Sequence, residues 1–251
     1  MLHETIEEGI AVLTLDDPTS RNAFSPVVRA QLQEALQRNV ADAAVRALVL
    51  TGAGGHFCAG GNLAQMQVET WAQARARFAE THALVRTLAA YSKPIVAAVQ
   101  GWAAGAGLSL ALLCDTVVAG RGAKFSAPFG RVGLIADLGL LHTLARRIGD
   151  GRARQMLLYG EPIEAQDALA IGLIDRMVED DAVLTVACAC ARRLSEGAPL
   201  PFQLTKQHFL RGLEEVLDWE REVQAALMLT EDHREGRAAF LEKRAAKFLG
   251  R

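Results

Sequence analysis

Apolar and polar positions alternate from Ile10 to Leu15, the pattern of a strand, until the Asp16-Asp17-Pro18 cluster stops it. Ser25 followed by Pro26 predicts a helix start, an N-cap hydroxyl with proline at the first helical position. That helix runs to about Val40, with Leu32, Leu36 and Val40 on one face. Ala47 to Thr51 is a short apolar strand closed by Gly52 to Gly55, and a helix follows from about Thr70 to Ala90 with Phe78, Leu84, Val85 and Leu88 as its stripe. Ile95 to Val99 reads as a buried strand, followed by a glycine turn and a buried helix from Ala106 to Leu113. A strand at Thr116 to Ala119 completes an α/β alternation in which helices cover buried strands.

From Asp137 onward the pattern turns helical: Leu138 to Ile148, Arg152 to Leu158, Gln166 to Ile171, Ala182 to Leu194, then two stretches beginning at Leu213 and Arg234. Only Ile174 to Val178 reads as extended. The predicted organisation is a core over residues 1–190 and a C-terminal helical region over 191–251 suited to subunit contacts.

Composition narrows the classes. With 51% hydrophobic and 22% charged residues the chain buries a large core, which excludes disorder. Its 27 basic and 29 acidic residues give a net charge of −2, without the basic stripe that nucleic acid or anionic lipid requires. Cys58, Cys114, Cys188 and Cys190 form no C-x-x-C pair and are too sparse to staple the fold. With no signal-peptide pattern after Met1, a cytoplasmic protein is expected. Pro94 to Cys114 carries no charge over 21 residues, but its proline, glycines, Gln100 and Ser109 argue against a membrane span.

Two glycine clusters follow predicted strands, Gly52 to Asn62 and Gly101 to Gly107. Glycine brings backbone close to a ligand, and a helix N-terminus adds free N–H donors, so two such loops could hold a developing oxyanion. Tight packing and turns are the plain alternative. The second cluster also spells the G-x-x-x-G-x-G of dehydrogenase cofactor loops, but Tyr91 and Tyr159 are followed four residues on by Ile95 and Ile163, not by the lysine that chemistry needs. There is no phosphate loop, no G-x-S-x-G elbow, and no metal-ligand spacing among the six histidines, so neither a metal nor a bound cofactor is expected.

Five segments together resemble the crotonase, or enoyl-CoA hydratase/isomerase, superfamily: Arg21-Asn22-Ala23, Phe57 to Leu63, Lys93 to Gly107, Ile171 to Asp175 and Phe240 to Arg244. The resemblance implies a spiral of β-β-α turns with a C-terminal helical trimerisation region, a homotrimer or dimer of trimers, and acyl-CoA thioester substrates that carry their own coenzyme A. It places the oxyanion donors at Gly61 and Ala106, and assigns substrate and CoA contacts to Arg21, Ala23, Ala59, Gly60, Asn62, Leu63, Gly105 and Phe129. The two glutamates of typical hydratases fall at Ser109 and Phe129, so both carboxylates are missing. Eight residues beyond Phe129 lies Asp137, where Δ3,Δ2-enoyl-CoA isomerases and the epoxyacyl-CoA isomerase of phenylacetate degradation place an aspartate. One carboxylate can take a proton from C2 and return it at C4, so an isomerase with Asp137 as base is expected. The alternative is an Asp137 that N-caps a helix starting at Leu138. His82 matches a histidine of dehalogenating members, which carry tryptophan where this chain has Phe129; a plain interior histidine is the simpler reading. A hydratase whose second acid–base group is not visible, or a silent acyl-CoA binder, are the rival functions.

Overall fold

The structure is a computed structural model describing residues 1–251. β1 (Leu2–Glu7) and β2 (Ile10–Leu15) form a hairpin, α1 (Pro26–Ala41) leads to β3 (Ala47–Gly52), and α2 (Trp71–Ala89) leads to β4 (Ile95–Val99). β5 (Trp102–Ala104) and α3 (Ala106–Leu113) lead to β6 (Thr116–Gly120). β7 (Lys124–Ser126), α4 (Leu140–Ile148), α5 (Asp150–Tyr159), β8 (Ile163–Glu164) and α6 (Ala165–Ala170) precede β9 (Arg176–Val178). The chain closes with α7 (Val183–Ser195), α8 (Pro199–Phe209), α9 (Leu213–Leu227) and α10 (Glu231–Leu241).

The main sheet runs β1-β2-β3-β4-β6-β9, parallel from β2 onward, so each strand is laid beside the last after a crossover. A second sheet, β5-β7-β8, lies across these crossovers. Isolated bridges Phe24↔Gly61 and Cys58↔Ala103 extend its pattern back into the earlier turns. This is the expected spiral of β-β-α turns. Leu13, Leu48, Leu50, Ile95, Ala97 and Val99 share the larger core with α1, α2 and α3. Their alternate neighbours Ile10, Val49, Val96, Ala98 and Val118 pack with Val183, Ala187 and Cys190 of α7. Both faces are covered, which is why these strands read as nearly unbroken apolar runs. No helix is long and apolar enough to cross a membrane.

Local chemistry explains the starts of α1 and α2. The Ser25 hydroxyl accepts from the Val28 N–H with Pro26 at the first turn, and Thr70 and Gln73 close a reciprocal capping box. Three expectations change, and two elements, β1 and α8, carry no pattern to read. The glycine turn after Val99 contains a strand, β5, because its N–H and carbonyl groups pair with Cys58 and with β7. The β1 edge strand, mostly polar and exposed, carries little alternation; Glu8 and Gly9, both at positive φ, turn it onto β2. α8 has no buried residue and so no stripe to read. The helix expected from Leu138 begins at Leu140, and the extended stretch from Ile174 is a strand only from Arg176.

Residue 190 lies inside α7, whose Ala187, Cys190 and Ala191 pack against the main sheet. The later helices share the larger core through Leu213, Leu217, Ala225 and Met228. Cys58 and Cys114 are buried as expected of small apolar residues, and burial pushes their thiols up to about 11 and about 12.

Candidate active site

The two glycine loops meet. Strand-like pairing carries Cys58 alongside Ala103, with the Ala104 N–H donating to the Cys58 carbonyl (3.0 Å). Gly107 then lets α3 start hard against Cys58, since a Cβ at 107 would overlap the Cys58 carbonyl. We expect Gly107→Ala to lower stability by about 1–3 kcal/mol, measured by urea unfolding, because the obstacle is backbone and cannot rotate away. Gly61 and Ala106 end up on the wall of one cavity of about 260 Å³. Neither N–H donates to any acceptor in the protein, Ala106 because it opens α3, where first-turn donors have no intrahelical partner.

Asp137 lines the same cavity, on the segment between the turn at Phe129–Val132 and α4. It does not cap a helix: the N-cap of α4 is Gly139 and no side chain caps it. The residue is 7% exposed and its Oδ1 is buried with no hydrogen-bond partner. Burial, and then the charge of Glu220, push this carboxyl well above the ordinary carboxylate range, while Arg77 pulls the other way.

An unpartnered buried acid is costly, so something must hold its backbone. Two residues of α9, one helical turn apart, do so. Glu220, fully buried, accepts the Leu138 N–H (2.8 Å) and the Gly139 N–H (2.9 Å). Leu138 is left-handed at φ 54, a conformation worth about 1–3 kcal/mol of strain for a side chain of its kind. Gln224 clamps Ile135 from both sides, donating to its carbonyl (2.8 Å) and accepting its N–H (3.3 Å). From the other flank, the Ser109 hydroxyl reaches the Asp137 carbonyl (3.0 Å). Ser109, at the position the resemblance gives to a hydratase glutamate, braces the aspartate loop.

Of the residues predicted from sequence, Ala59, Gly60, Gly61, Leu63, Gly105, Ala106, Phe129 and Asp137 all line this cavity. Arg21, Ala23 and Asn62 do not, although the Arg21 carbonyl accepts the Ala59 N–H (3.0 Å). His82 also stays out: it is fully buried on α2, its Nε2 donating to Glu220 (2.7 Å), an interior histidine as the simpler reading had it. Glu220 and Gln224 were not singled out from sequence. The available signal was two polar residues on the apolar stripe of Leu213, Leu217 and Met228.

The family model described as Enoyl-CoA hydratase/isomerase matches residues 5–251. The chain is 38% identical to 1,2-epoxyphenylacetyl-CoA isomerase of Escherichia coli (strain K12), over 98% of this chain and 97% of that protein. It is also 38% identical to 2,3-dehydroadipyl-CoA hydratase of the same strain, with the same coverage. A crystal structure of an enoyl-CoA hydratase from Mycobacterium avium subsp. paratuberculosis K-10 superposes with a TM-score of 0.89 at 32% identity, over 99% of this chain and 98% of that one. The chain therefore belongs to the enoyl-CoA hydratase/isomerase family of the crotonase superfamily, enzymes that process acyl-CoA thioesters.

Proposed function

We propose that this enzyme is an enoyl-CoA isomerase moving a double bond from C3 to C2, with Asp137 as its single acid–base group. In this reading the Gly61 and Ala106 N–H groups hold the thioester oxygen. The Asp137 carboxylate takes a proton from C2, and the electron pair spreads over C2, C4 and the thioester oxygen. The same carboxyl returns the proton at C4, so the carboxylate is regenerated and no water is consumed. Donors fixed before the reaction stabilise the developing oxyanion without reorganising, and a carboxyl raised by burial is a stronger base when ionised. Ala59, Gly60, Leu63, Gly105 and Phe129 would form the walls, with Arg21, Ala23 and Asn62 outside this cavity, nearer the coenzyme portion.

The observation carrying this reading is that Asp137 is the only carboxylate on the cavity wall, with Ser109 and Phe129 at the positions of the missing glutamates. A hydratase needs a second group to activate water. Relatives bear both names at equal identity, so the names do not decide between them. Incubation with hex-3-enoyl-CoA, followed by chromatography with mass detection, should give an isobaric 2-enoyl-CoA product. Unchanged hex-3-enoyl-CoA together with conversion of hex-2-enoyl-CoA to a product heavier by one water would overturn the isomerase in favour of the hydratase, and binding of both thioesters without turnover of either would favour the silent binder.

The reading includes assembly into a trimer or dimer of trimers. Exposed Leu200, Leu204, Phe209 and Trp219 of the C-terminal helices support self-association, and sedimentation velocity would measure it.

A further inference from the structure

A second, small cavity of about 30 Å³ adjoins the first and shares Gly61, Met66, Ala106 and Asp137 with it. Three of the four shared residues are the two N–H donors and Asp137, so an acyl chain held there by its carbonyl borders this second space. The far wall is polar: Ser25, Arg29, Arg77 and Thr81 line it. Three of these are already engaged, Ser25 by accepting the Val28 N–H at the start of α1 (3.2 Å). Arg29 pairs with Glu80 and donates to the Thr81 hydroxyl (3.1 Å), which itself donates to the Arg77 carbonyl (2.9 Å).

Arg77 is different. It makes no ion pair, and its guanidinium donates only to the Gln65 carbonyl (3.2 Å). It is half-buried, the only acid sharing its cavity is Asp137, and that acid is beyond ion-pair reach. A planar guanidinium fork with free donors fits a carboxylate. The volume is compatible: about 10–15 Å³ admits one water-sized group, so 30 Å³ leaves room for a group as small as a carboxylate.

We infer that Arg77 selects acyl-CoA substrates whose acyl group ends in a carboxylate, held by its guanidinium in the small cavity beside Asp137. The inference rests on the placement of the thioester carbonyl at Gly61 and Ala106, and not on the reaction that follows. A bound carboxylate would also draw the Arg77 charge away from Asp137, leaving a stronger base once substrate is in place.

Saturated thioesters test this without chemistry. Calorimetry would compare succinyl-, adipoyl- and suberoyl-CoA with alkanoyl-CoA of the same chain lengths, in wild type, Arg77→Gln and Arg77→Lys. For at least one length the carboxylated thioester should bind wild type about tenfold or more tightly than its alkyl match, as a charge-assisted hydrogen bond gives. Arg77→Gln should erase that ratio and Arg77→Lys retain part of it. Equal or weaker binding of every carboxylated thioester by wild type overturns the inference whatever the variants do, as does a preference that survives in Arg77→Gln. Because none of these ligands can isomerise, turnover of hex-3-enoyl-CoA without carboxylate preference would sink this inference alone. The opposite pattern would sink the isomerase alone.

Discussion

Asp137→Asn is expected to lower kcat/KM for a 3-enoyl-CoA by about 10²–10⁴-fold, the usual contribution of a positioned general base. Thioester binding should survive, because the Gly61 and Ala106 donors are main-chain. The same substitution should raise the melting temperature at neutral pH. Asp137 has a folded-state pKa above its unfolded value, so between the two the folded chain holds a proton that the unfolded chain has released. Stability therefore falls as pH rises through that window, and the loss persists above it. Asparagine does not ionise and escapes the loss. For the wild-type enzyme, activity should rise with pH through an inflection above the ordinary carboxylate range, as Asp137 becomes the ionised base. Thermal melts and pH–rate profiles of both proteins check these outcomes; an active Asp137→Asn enzyme would remove Asp137 from the chemistry.

Glu220→Ala is expected to cost about 3–5 kcal/mol, as breaking a buried pair does. That corresponds to a fall of about 6–20 °C in melting temperature for a chain of this size. Three donors lose their acceptor at once: His82 Nε2 and the N–H groups of Leu138 and Gly139. The milder Glu220→Gln separates position from mere stability. It removes a charge that raises the Asp137 carboxyl, so the acid limb of the pH–rate profile should move to lower pH. It also puts an amide N–H against one of the backbone donors, so kcat should drop in protein that is still folded. A variant that is less stable but has an unchanged pH profile would make Glu220 purely structural.

Much of the spiral was legible because its signals are local. β2 and β4 fall on the residues predicted, Ile10–Leu15 and Ile95–Val99, and so does α3 at Ala106–Leu113. Strand runs, the Ser25-Pro26 helix start and glycine breaks depend on neighbours within a few residues. The edge strand β1 and the exposed helix α8 escaped for the converse reason: neither buries a face, so neither leaves a period. β5 escaped because its strand character comes from partners at Cys58 and in β7 and not from its own three residues.

The residues that meet at the cavity were largely readable too, since Gly61, Ala106, Phe129 and Asp137 stand in motifs whose order survives in the sequence. By itself, then, the sequence determined the order of the elements, the two loops that present free N–H groups, and the carboxylate that faces them. Only the tertiary structure decided what holds that carboxylate. Glu220 reaches Leu138 across 82 positions of chain, and Gln224 reaches Ile135 across 89. It likewise decided that Asp137 has no partner of its own, and that Arg77 stands unpaired in the space beside it. A buried polar group must find its partner wherever packing brings one, and no local pattern records a choice made between segments that meet only when the core closes.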